Sequence, residues 1–261
     1  MVAMINEAAP IPFNYTGEYT GKITTEFYLH EKTGSFFIRS IGERLIVQNF
    51  TEPYQDEFKQ RFAPAVGDEA FNIPQLDDMC AVFGDSKTTQ NYASGQTRRK
   101  EEVQKKIERD STRPLNGNPF TGFMIFDKDQ KRVIGRISSG SCYSPGHSQA
   151  GLIIHSEERG TRRGLEAVML VAGIMNVLWE NRYAVNGEPV KIFTAAVKND
   201  NDPLIAMVTS LGMKRLRPLT GEENYSEDPR SLYGIEAKEV RRHLESRMTN
   251  PKDYTIAFTT I

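Results

Sequence analysis

The 261-residue sequence has few cysteines and no excess of charge of either sign. Cys80 and Cys142 are too few for a disulfide framework or a cysteine-based metal cluster, so we expect two reduced thiols in a cytoplasmic protein and no bound metal. Lys and Arg number 33 against 34 Asp and Glu, which gives a formal net charge of −1. No overall basic field therefore draws this chain to nucleic acid or to an anionic membrane.

Long hydrophobic runs are absent as well. The most apolar stretch, Leu165 to Trp179, is interrupted by Glu166 and Asn176 and is shorter than a membrane span. Residues 1–11 have neither a basic segment nor a long apolar segment, so we expect no secretory signal. With 38% hydrophobic and 26% charged residues, the composition is typical of a globular protein.

Apolar spacing and turn residues predict a mixed α/β chain. Two β-prone segments flank a turn at residues 31–34, so we expect residues 1–40 to form a β-rich N-terminal extension with a hairpin, and residues 41–261 to form one domain. The predicted order in that domain is β-α-α-β-β-β-α-β-α-β-β, followed by a charged helix. We predict strands at 44–48, 120–126, 132–137, 150–154, 191–197, 213–216 and 232–235, helices at 52–62, 98–109, 165–179, 202–211 and 237–248, and a loop at 138–148.

The turn between the strand at 150–154 and the next helix carries the clearest chemistry. Free N–H groups at a helix start bind anions, and the helix dipole adds to this attraction. Gly160 and Gly164 allow a ligand to approach the backbone closely, and Arg159, Arg162 and Arg163 place three cations around the turn. This combination suits a di- or triphosphate ligand, although an ordinary helix start with solvated arginines fits the same residues. The spacing excludes a P-loop and does not support a dinucleotide fingerprint.

This turn, Arg159-Gly-Thr-Arg-Arg-Gly164, resembles motif A of the GNAT superfamily of N-acetyltransferases, Arg/Gln-x-x-Gly-x-Gly/Ala. Segments at 43–47, 133–137 and 195–213 resemble further blocks of the RimJ/RimL type in that superfamily. The resemblance covers roughly residues 41 to 247. It implies a mixed β-sheet that splays open at the fourth core strand and is flanked by helices.

The resemblance also implies a site for acetyl-CoA as co-substrate. The backbone of Leu152, Ile153 and Ile154 would pair with the pantetheine arm, and Asn201 would contact the same arm. The pyrophosphate would lie on the N–H groups of the turn formed by Arg159, Gly160, Thr161, Arg162, Arg163 and Gly164. Because the RimJ/RimL type acetylates protein N-termini and related amines, the expected acceptor is a protein N-terminus, a polyamine or a small amine. A homodimer is compatible with the type.

Several positions depart from the family pattern. Gln149 replaces a glutamate two residues before the strand glycine, and an amide cannot act as a base. Leu204 replaces a serine, Val208 replaces a tyrosine, and Arg162 replaces the first glycine of motif A. No catalytic residue is therefore assigned. Gln149, His155 and Tyr143 are the weak candidates, and for His155 we favour a structural or ligand-contact role over proton transfer.

Three functions remain open at this point. The leading hypothesis is an acetyl-CoA-dependent N-acetyltransferase in which an acceptor amine attacks the thioester directly in a ternary complex. Gln149, Leu204 and Val208 keep open a catalytically weak acyl-CoA-binding module with a regulatory or interaction role. A general phosphate-binding protein would instead bind nucleotides without a pantetheine arm as well as it binds CoA.

Overall fold

A computed structural model describes residues 19–141, 144–221, 224 and 227–261. Ten of its strands form one sheet: β1 (Ile23–Leu29), β2 (Phe36–Ile41), β3 (Leu45–Asn49), β4 (Gly122–Asp127), β5 (Arg132–Ser141), β6 (His147–Ile154), β9 (Ile192–Lys198), β10 (Lys214–Pro218), β11 (Arg230–Glu236) and β12 (Tyr254–Thr260). β7 (Ala184–Val185) and β8 (Glu188–Pro189) form a small separate ribbon. The α-helices of the described residues are α1 (Gln55–Val66), α2 (Leu76–Gly84), α3 (Ser86–Thr89), α4 (Lys100–Leu115), α5 (Arg163–Glu180), α6 (Asp202–Ser210) and α7 (Val240–Ser246).

The sheet is mixed, with the strand order β10-β11-β9-β6-β5-β4-β3-β2-β1-β12. Most neighbours are antiparallel, but β6 pairs with β9 in parallel and β1 pairs with β12 in parallel. The parallel β6–β9 step is possible because α5 makes the crossover between them. The expected fold class, a mixed sheet flanked by helices, is confirmed.

Helices cover both faces of the sheet. Alternating strand residues serve the two sides, as Phe123 and Ile125 pack with α5 whereas Met124 packs with α2 and α4. Helix α5 is buried along most of its length and supplies the centre of the larger core. A separate cluster of phenylalanines, which includes Phe37, Phe58 and Phe62, holds α1 on the same side as α2 and α4.

Residues 19–40 are part of this same sheet. Strand β2 pairs with β1 on one side and with β3 on the other, and the expected boundary between residues 40 and 41 falls inside β2. Strand β12 then lies outside β1, so the C-terminal strand flanks the N-terminal one. The β-prone segments at 23–30 and 36–39 indicated the strands, but nothing local indicated their partner at the far end of the chain.

Two sequence predictions need correction. Residues 138–148 were predicted as a loop because they are rich in serine and glycine, yet β5 runs to Ser141 and β6 starts at His147. Small polar residues are tolerated here because the backbone ladder supplies the hydrogen bonds, and the Oγ atoms of Ser139 and Ser148 lie 2.7 Å apart. The helix predicted at 237–248 is a short 3₁₀ turn followed by α7. Helices α2 and α3 and strand β12 were not predicted at all.

Among the described helices, none has the length and apolar character that crossing a membrane would require.

Candidate functional site

The sheet opens between β6 and β9. Their parallel ladder runs from the His147–Ile192 pair to the Ala150–Ala195 pair and then stops, although β6 continues to Ile154 and β9 to Lys198. On its other side β6 stays paired with β5 as far as Ile154. The β9-facing edge of Gly151 to Ile154 therefore has no strand partner. An extended ligand could hydrogen-bond to this edge as an additional strand would.

A cavity of about 630 Å³ runs through this opening. Val168, Val171 and Met175 of α5 line it on one face of the sheet. Residues of α4 and of the segment after α3, including Tyr92, line it on the other face. Gln149, Ala150, Ala195 and Ala196 of the diverging strands also line the cavity. A ligand that lies along β6 would therefore be accessible from the α4 side.

The turn that follows β6 leads directly into α5. Helix α5 begins at Arg163, and the N–H of Glu166 bonds to the carbonyl of Arg162 at 3.2 Å. The N–H groups of Arg163, Gly164 and Leu165 therefore have no partner within the helix, as at every helix start. Gly160 has φ +79°, which favours glycine, and a Cβ there would meet no atom within 4 Å. This open backbone is suited to an anion such as a pyrophosphate.

The three arginines of the turn do not act alike. One guanidinium nitrogen of Arg159 donates to the carbonyl of Lys87 at 2.7 Å, and Arg163 forms ion pairs with the buried carboxylates of Asp127 and Glu158. The interaction with Asp127 raises the pKa of Arg163 further. The side chain of Arg162 is exposed and has no ion pair or hydrogen bond among the described residues. Of the three cations expected around the turn, Arg163 is therefore neutralised by carboxylates, whereas Arg159 and Arg162 are exposed and have no ion pair among the described residues.

The small size of Gly164 serves packing between elements, a role that the sequence did not indicate. A Cβ at this position would lie 3.1 Å from Cε of Met207 and 4.0 Å from Cδ1 of Ile154. Its small size therefore brings α5 close to α6 and β6.

Helix α3 supports the turn from outside. Asp85 caps α3 and accepts a hydrogen bond from the Ser156 hydroxyl at 2.6 Å, and the Thr88 hydroxyl accepts one from the Ser156 N–H at 2.7 Å. These hydroxyl and N–H donors hold the pKa of Asp85 well below its usual range. The turn is thus fixed by polar contacts to a helix that the sequence did not indicate.

The other predicted site residues lie in different parts of the structure. Asn201 caps α6, where its side chain accepts from the N–H of Leu204 at 3.3 Å. His155 caps the 3₁₀ turn at 156–158 through a 3.4 Å bond from the N–H of Glu157, and it does not line the cavity. Gln149 lines the cavity together with Leu204 and Val208, the two other positions that depart from the family pattern. Tyr143 and Cys142 lie outside the described residues.

Sequence reasoning missed the side of the cavity formed by positive charges. Five cationic side chains line it, and we call them the cationic wall: Lys106, Arg109, Arg113, Arg136 and Arg230. No described residue that lines the cavity carries a carboxylate. The spacing of Lys106, Arg109 and Arg113 places them on one face of α4. This spacing was visible in the sequence, but it equally fits a solvated helix face.

Arg136 is one of the two buried members of the wall, and Arg230 is the other. Arg136 is 3% exposed, and its guanidinium lies 2.7 Å from Oδ2 of Asp110, which is fully buried. A further guanidinium nitrogen donates to the Tyr92 hydroxyl at 3.3 Å. Burial alone would lower the pKa of Arg136, but the charge of Asp110 raises it. Arg136 is therefore a fixed cation at the floor of the cavity.

Lys106 lies beside it without an ionic partner. Among the described residues its ammonium makes no hydrogen bond or ion pair, and it lies over the ring of Phe83, 6.0 Å from the ring centroid. Burial, and then the charge of Arg136, lower the pKa of Lys106 to about 7. Burial likewise lowers the pKa of Arg113, whose guanidinium donates to the carbonyl of Phe120 at 2.9 Å.

No described group of His, Cys, Asp and Glu residues could hold a metal ion.

Comparison with known proteins agrees with this geometry. The family described as "Acetyltransferase (GNAT) domain" matches residues 70–214, more than half of the chain. No curated protein sequence matches significantly.

Solved structures resemble the fold at low sequence identity. A GNAT-family acetyltransferase from Bacillus anthracis superimposes with a TM-score of 0.53 at 14% identity, covering 76% of this chain and 97% of that one. A GCN5-related N-acetyltransferase from Brucella melitensis gives 0.53 at 13% identity, covering 79% and 82%. The microcin C7 self-immunity acetyltransferase MccE, solved with acetyl-CoA and AMP, gives 0.50 at 11% identity, covering 74% and 93%.

Proposed function

Because the chain belongs to the GNAT acetyltransferase family, whose acyl donor is acetyl-CoA, we propose that it acetylates a primary amine by direct transfer in a ternary complex. The observation that carries this proposal is the end of the β6–β9 ladder at Ala150 and Ala195, beside a cavity lined by residues from both faces of the sheet. An acyl donor and an acceptor can then meet at one point from opposite sides.

The donor would lie along β6. We propose that the unpaired edge of Leu152, Ile153 and Ile154 bonds to the pantetheine arm, with Asn201 at the start of α6 beside the same arm. The N–H groups of residues 160–164 would bind the pyrophosphate, whereas the N–H of Arg159 already donates to the carbonyl of Ser156 at 3.2 Å. The exposed guanidinium of Arg162, with that of Arg159 nearby, would supply the positive charge. This placement brings the thioester to the point where the strands diverge, next to Gln149.

The acceptor would enter from the α4 side as a neutral amine. Its nitrogen attacks the thioester carbonyl carbon, so a C–N bond forms while the C–S bond breaks. The nitrogen loses a proton to water in the cavity, and the departing thiolate takes up a proton. The amide of Gln149 can accept a hydrogen bond from the attacking amine and so orient it, although it cannot act as a base.

The finer assignments belong to the same proposal. The order of strand β3, helix α1 and the later motifs supports the RimJ/RimL type, and the acceptor classes of that type are protein N-termini and related amines. A cytoplasmic location and a homodimer fit this type, and sedimentation of the purified protein tests the second.

Calorimetric titration of acetyl-CoA, with ATP as the control ligand, tests the donor site. We expect acetyl-CoA to bind and ATP to bind much more weakly, because ATP lacks the arm that pairs with β6. Equal binding of the two would favour a general phosphate-binding protein. The release of free thiol on adding amines then separates an acetyltransferase from a weak acyl-CoA-binding module.

Charge reversal at the turn tests the pyrophosphate site. Arg162→Glu should weaken acetyl-CoA binding by roughly tenfold or more, because it places a negative charge where the pyrophosphate binds. Arg182→Glu is the matched control, since Arg182 is an exposed arginine with positive φ beyond the other end of α5. Unchanged affinity in the Arg162 variant would place the pyrophosphate elsewhere.

A further inference from the structure

The cationic wall faces the place where the proposed acceptor enters. Five cations line the cavity and no described lining residue is a carboxylate. Asp110 lies beneath the wall and is occupied by Arg136 on one oxygen, while Arg109 stands 3.7 Å from the other. A single carboxylate thus serves two of the four cations on α4 and β5, and the other two, Lys106 and Arg113, have no ion pair among the described residues.

A solvated helix face accounts for Arg109, whose side chain is 54% exposed, but not for Lys106 and Arg113, which are half-buried. Charges that extend into water keep their ordinary pKa values, whereas burial and the neighbouring Arg136 lower the pKa of Lys106 to about 7. By contrast, Lys105, one residue away on the same helix, is exposed and lies outside the cavity. Charges held together in a half-buried space are unfavourable unless an anion joins them.

We propose that the acceptor amine carries a multiply charged anionic group, of which a phosphate monoester is the simplest, and that the cationic wall binds it. This inference rests on the proposed acetyl transfer and adds the substrate class. Lys106 and Arg113 contact the anion from α4, while Arg136 contributes a fixed positive charge below them. The anion anchors the acceptor so that its amine reaches the diverging strands at Gln149.

The wall also disfavours one expected class of acceptor. A polyamine such as putrescine brings a second cation into a cavity that is already positively charged, and the like charges repel. An amine linked to a phosphate gains attraction from the same residues. Selectivity between the two classes therefore follows from charge and does not need close shape complementarity.

Paired substrates test the proposal in the protein with acetyl-CoA. O-Phosphoethanolamine and ethanolamine differ by one phosphate, and we expect kcat/KM for the former to be at least tenfold higher, with putrescine slowest. Lys106→Gln should raise KM for O-phosphoethanolamine by roughly tenfold and KM for ethanolamine by much less, since only the phosphorylated amine loses a charged hydrogen bond. Lys105→Gln, which removes the same charge from the exposed side of α4, should change KM for neither substrate.

Several results would overturn the proposal. Equal kcat/KM for O-phosphoethanolamine and ethanolamine would show that the cationic wall does not bind the phosphate group. An equal loss of kcat for both amines in Lys106→Gln would make Lys106 a proton acceptor. A matching loss of acetyl-CoA affinity in that variant would assign the wall to the donor's own phosphates.

A binding measurement keeps this inference separate from acetyl transfer. Inorganic phosphate titrated into the CoA-saturated protein should bind to the unmodified chain, and Lys106→Gln and Arg113→Gln should each weaken it about tenfold. If no amine releases thiol but phosphate binds in this pattern, the proposed transfer fails and the anion site stands. If thiol release occurs and the variants bind phosphate as the unmodified chain does, the transfer stands and the anion site fails.

Discussion

At the scale of single residues, Lys106 lowers the folding stability of the free protein but would bind the anion of the proposed acceptor. Its ammonium is half-buried, has Arg136 as a charged neighbour and lacks an ion pair among the described residues. Such a position destabilises the folded chain until an anion is bound. Stability and ligand binding therefore make opposite demands on this side chain.

Replacement of Lys106 by methionine should separate these two demands. Lys106→Met should raise the free energy of unfolding at pH 7 by about 1–3 kcal/mol, because it removes the unfavourable burial of a charge. The pKa of Lys106 falls from 10.5 unfolded to about 7 folded, so the unfolded state binds more protons between these values. The stability of the unmodified chain should rise with pH across that window, and the advantage of the variant should shrink. Urea denaturation at pH 6, 7, 8 and 9 measures this, and an advantage that grew with pH would contradict it.

Arg162 is a second residue that lowers the folding stability, in this case through its backbone conformation. Its φ of +65° lies in the left-handed region, at the position where the family motif has glycine. Arg162→Gly should raise the free energy of unfolding by up to about 1 kcal/mol, because glycine adopts this φ without strain. Thermal or urea denaturation checks it. Arg182→Gly, at φ +55° outside the site, should give a similar gain without altering acetyl-CoA affinity.

At the scale of elements, the Arg136–Asp110 pair joins strand β5 to helix α4. Both side chains are buried, and the pair holds the helix that presents most of the cationic wall. A stable α4 is therefore needed for the geometry of the acceptor side, although the pair itself is an ordinary buried ion pair.

Removal of one partner should be more damaging than removal of both. Arg136→Met should lower the free energy of unfolding by about 3–5 kcal/mol, because it leaves the buried Asp110 carboxylate without its cation. The double variant Arg136→Met with Asp110→Leu should recover a large part of that loss. Urea denaturation of both single variants and the double variant measures the coupling. Additive losses would show that the two charges do not depend on each other.

Prediction of elements succeeded where the pattern was local. Helix α5 was recognised from its apolar spacing, and α6 from the glycine after its end. The predicted loop at 138–148 was wrong, because serine and glycine signal a turn only when no neighbouring strand satisfies their backbone. Strand β12 was missed because it alternates weakly and lies half-exposed at the sheet edge of the described chain.

At the scale of the whole molecule, one continuous sheet links both ends of the described chain. Phe27 of β1 stacks on Phe36 of β2 and on Phe258 of β12, with ring centroids 5.4 Å and 5.0 Å apart. It also belongs to the same core cluster as helix α5. The proposed division into an extension at 1–40 and a domain at 41–261 therefore has a direct test.

Unfolding should be a single cooperative event. Trp179, the only tryptophan, packs against the core at the end of α5, so its fluorescence reports on the domain. We expect its transition to coincide with that seen by far-ultraviolet circular dichroism. Phe27→Ala should shift both transitions equally, with a loss of about 3–5 kcal/mol. If Phe27→Ala left the Trp179 fluorescence transition unchanged, an N-terminal extension that folds separately would be supported.

The sequence by itself determined the mixed α/β order of elements and the turn rich in glycine and arginine at the start of α5. These follow from periodicity, helix ends and motif spacing, which depend on neighbours along the chain, whereas the unusual residues at positions 149, 204 and 208 follow from the resemblance to the family. Only the tertiary structure decided that Arg163 is paired with buried carboxylates, that β12 flanks β1 and that five cations converge on one cavity. A charge on a helix face is the same in sequence whether it meets water or a cavity, and only the packing of α4 against β5 distinguishes the two.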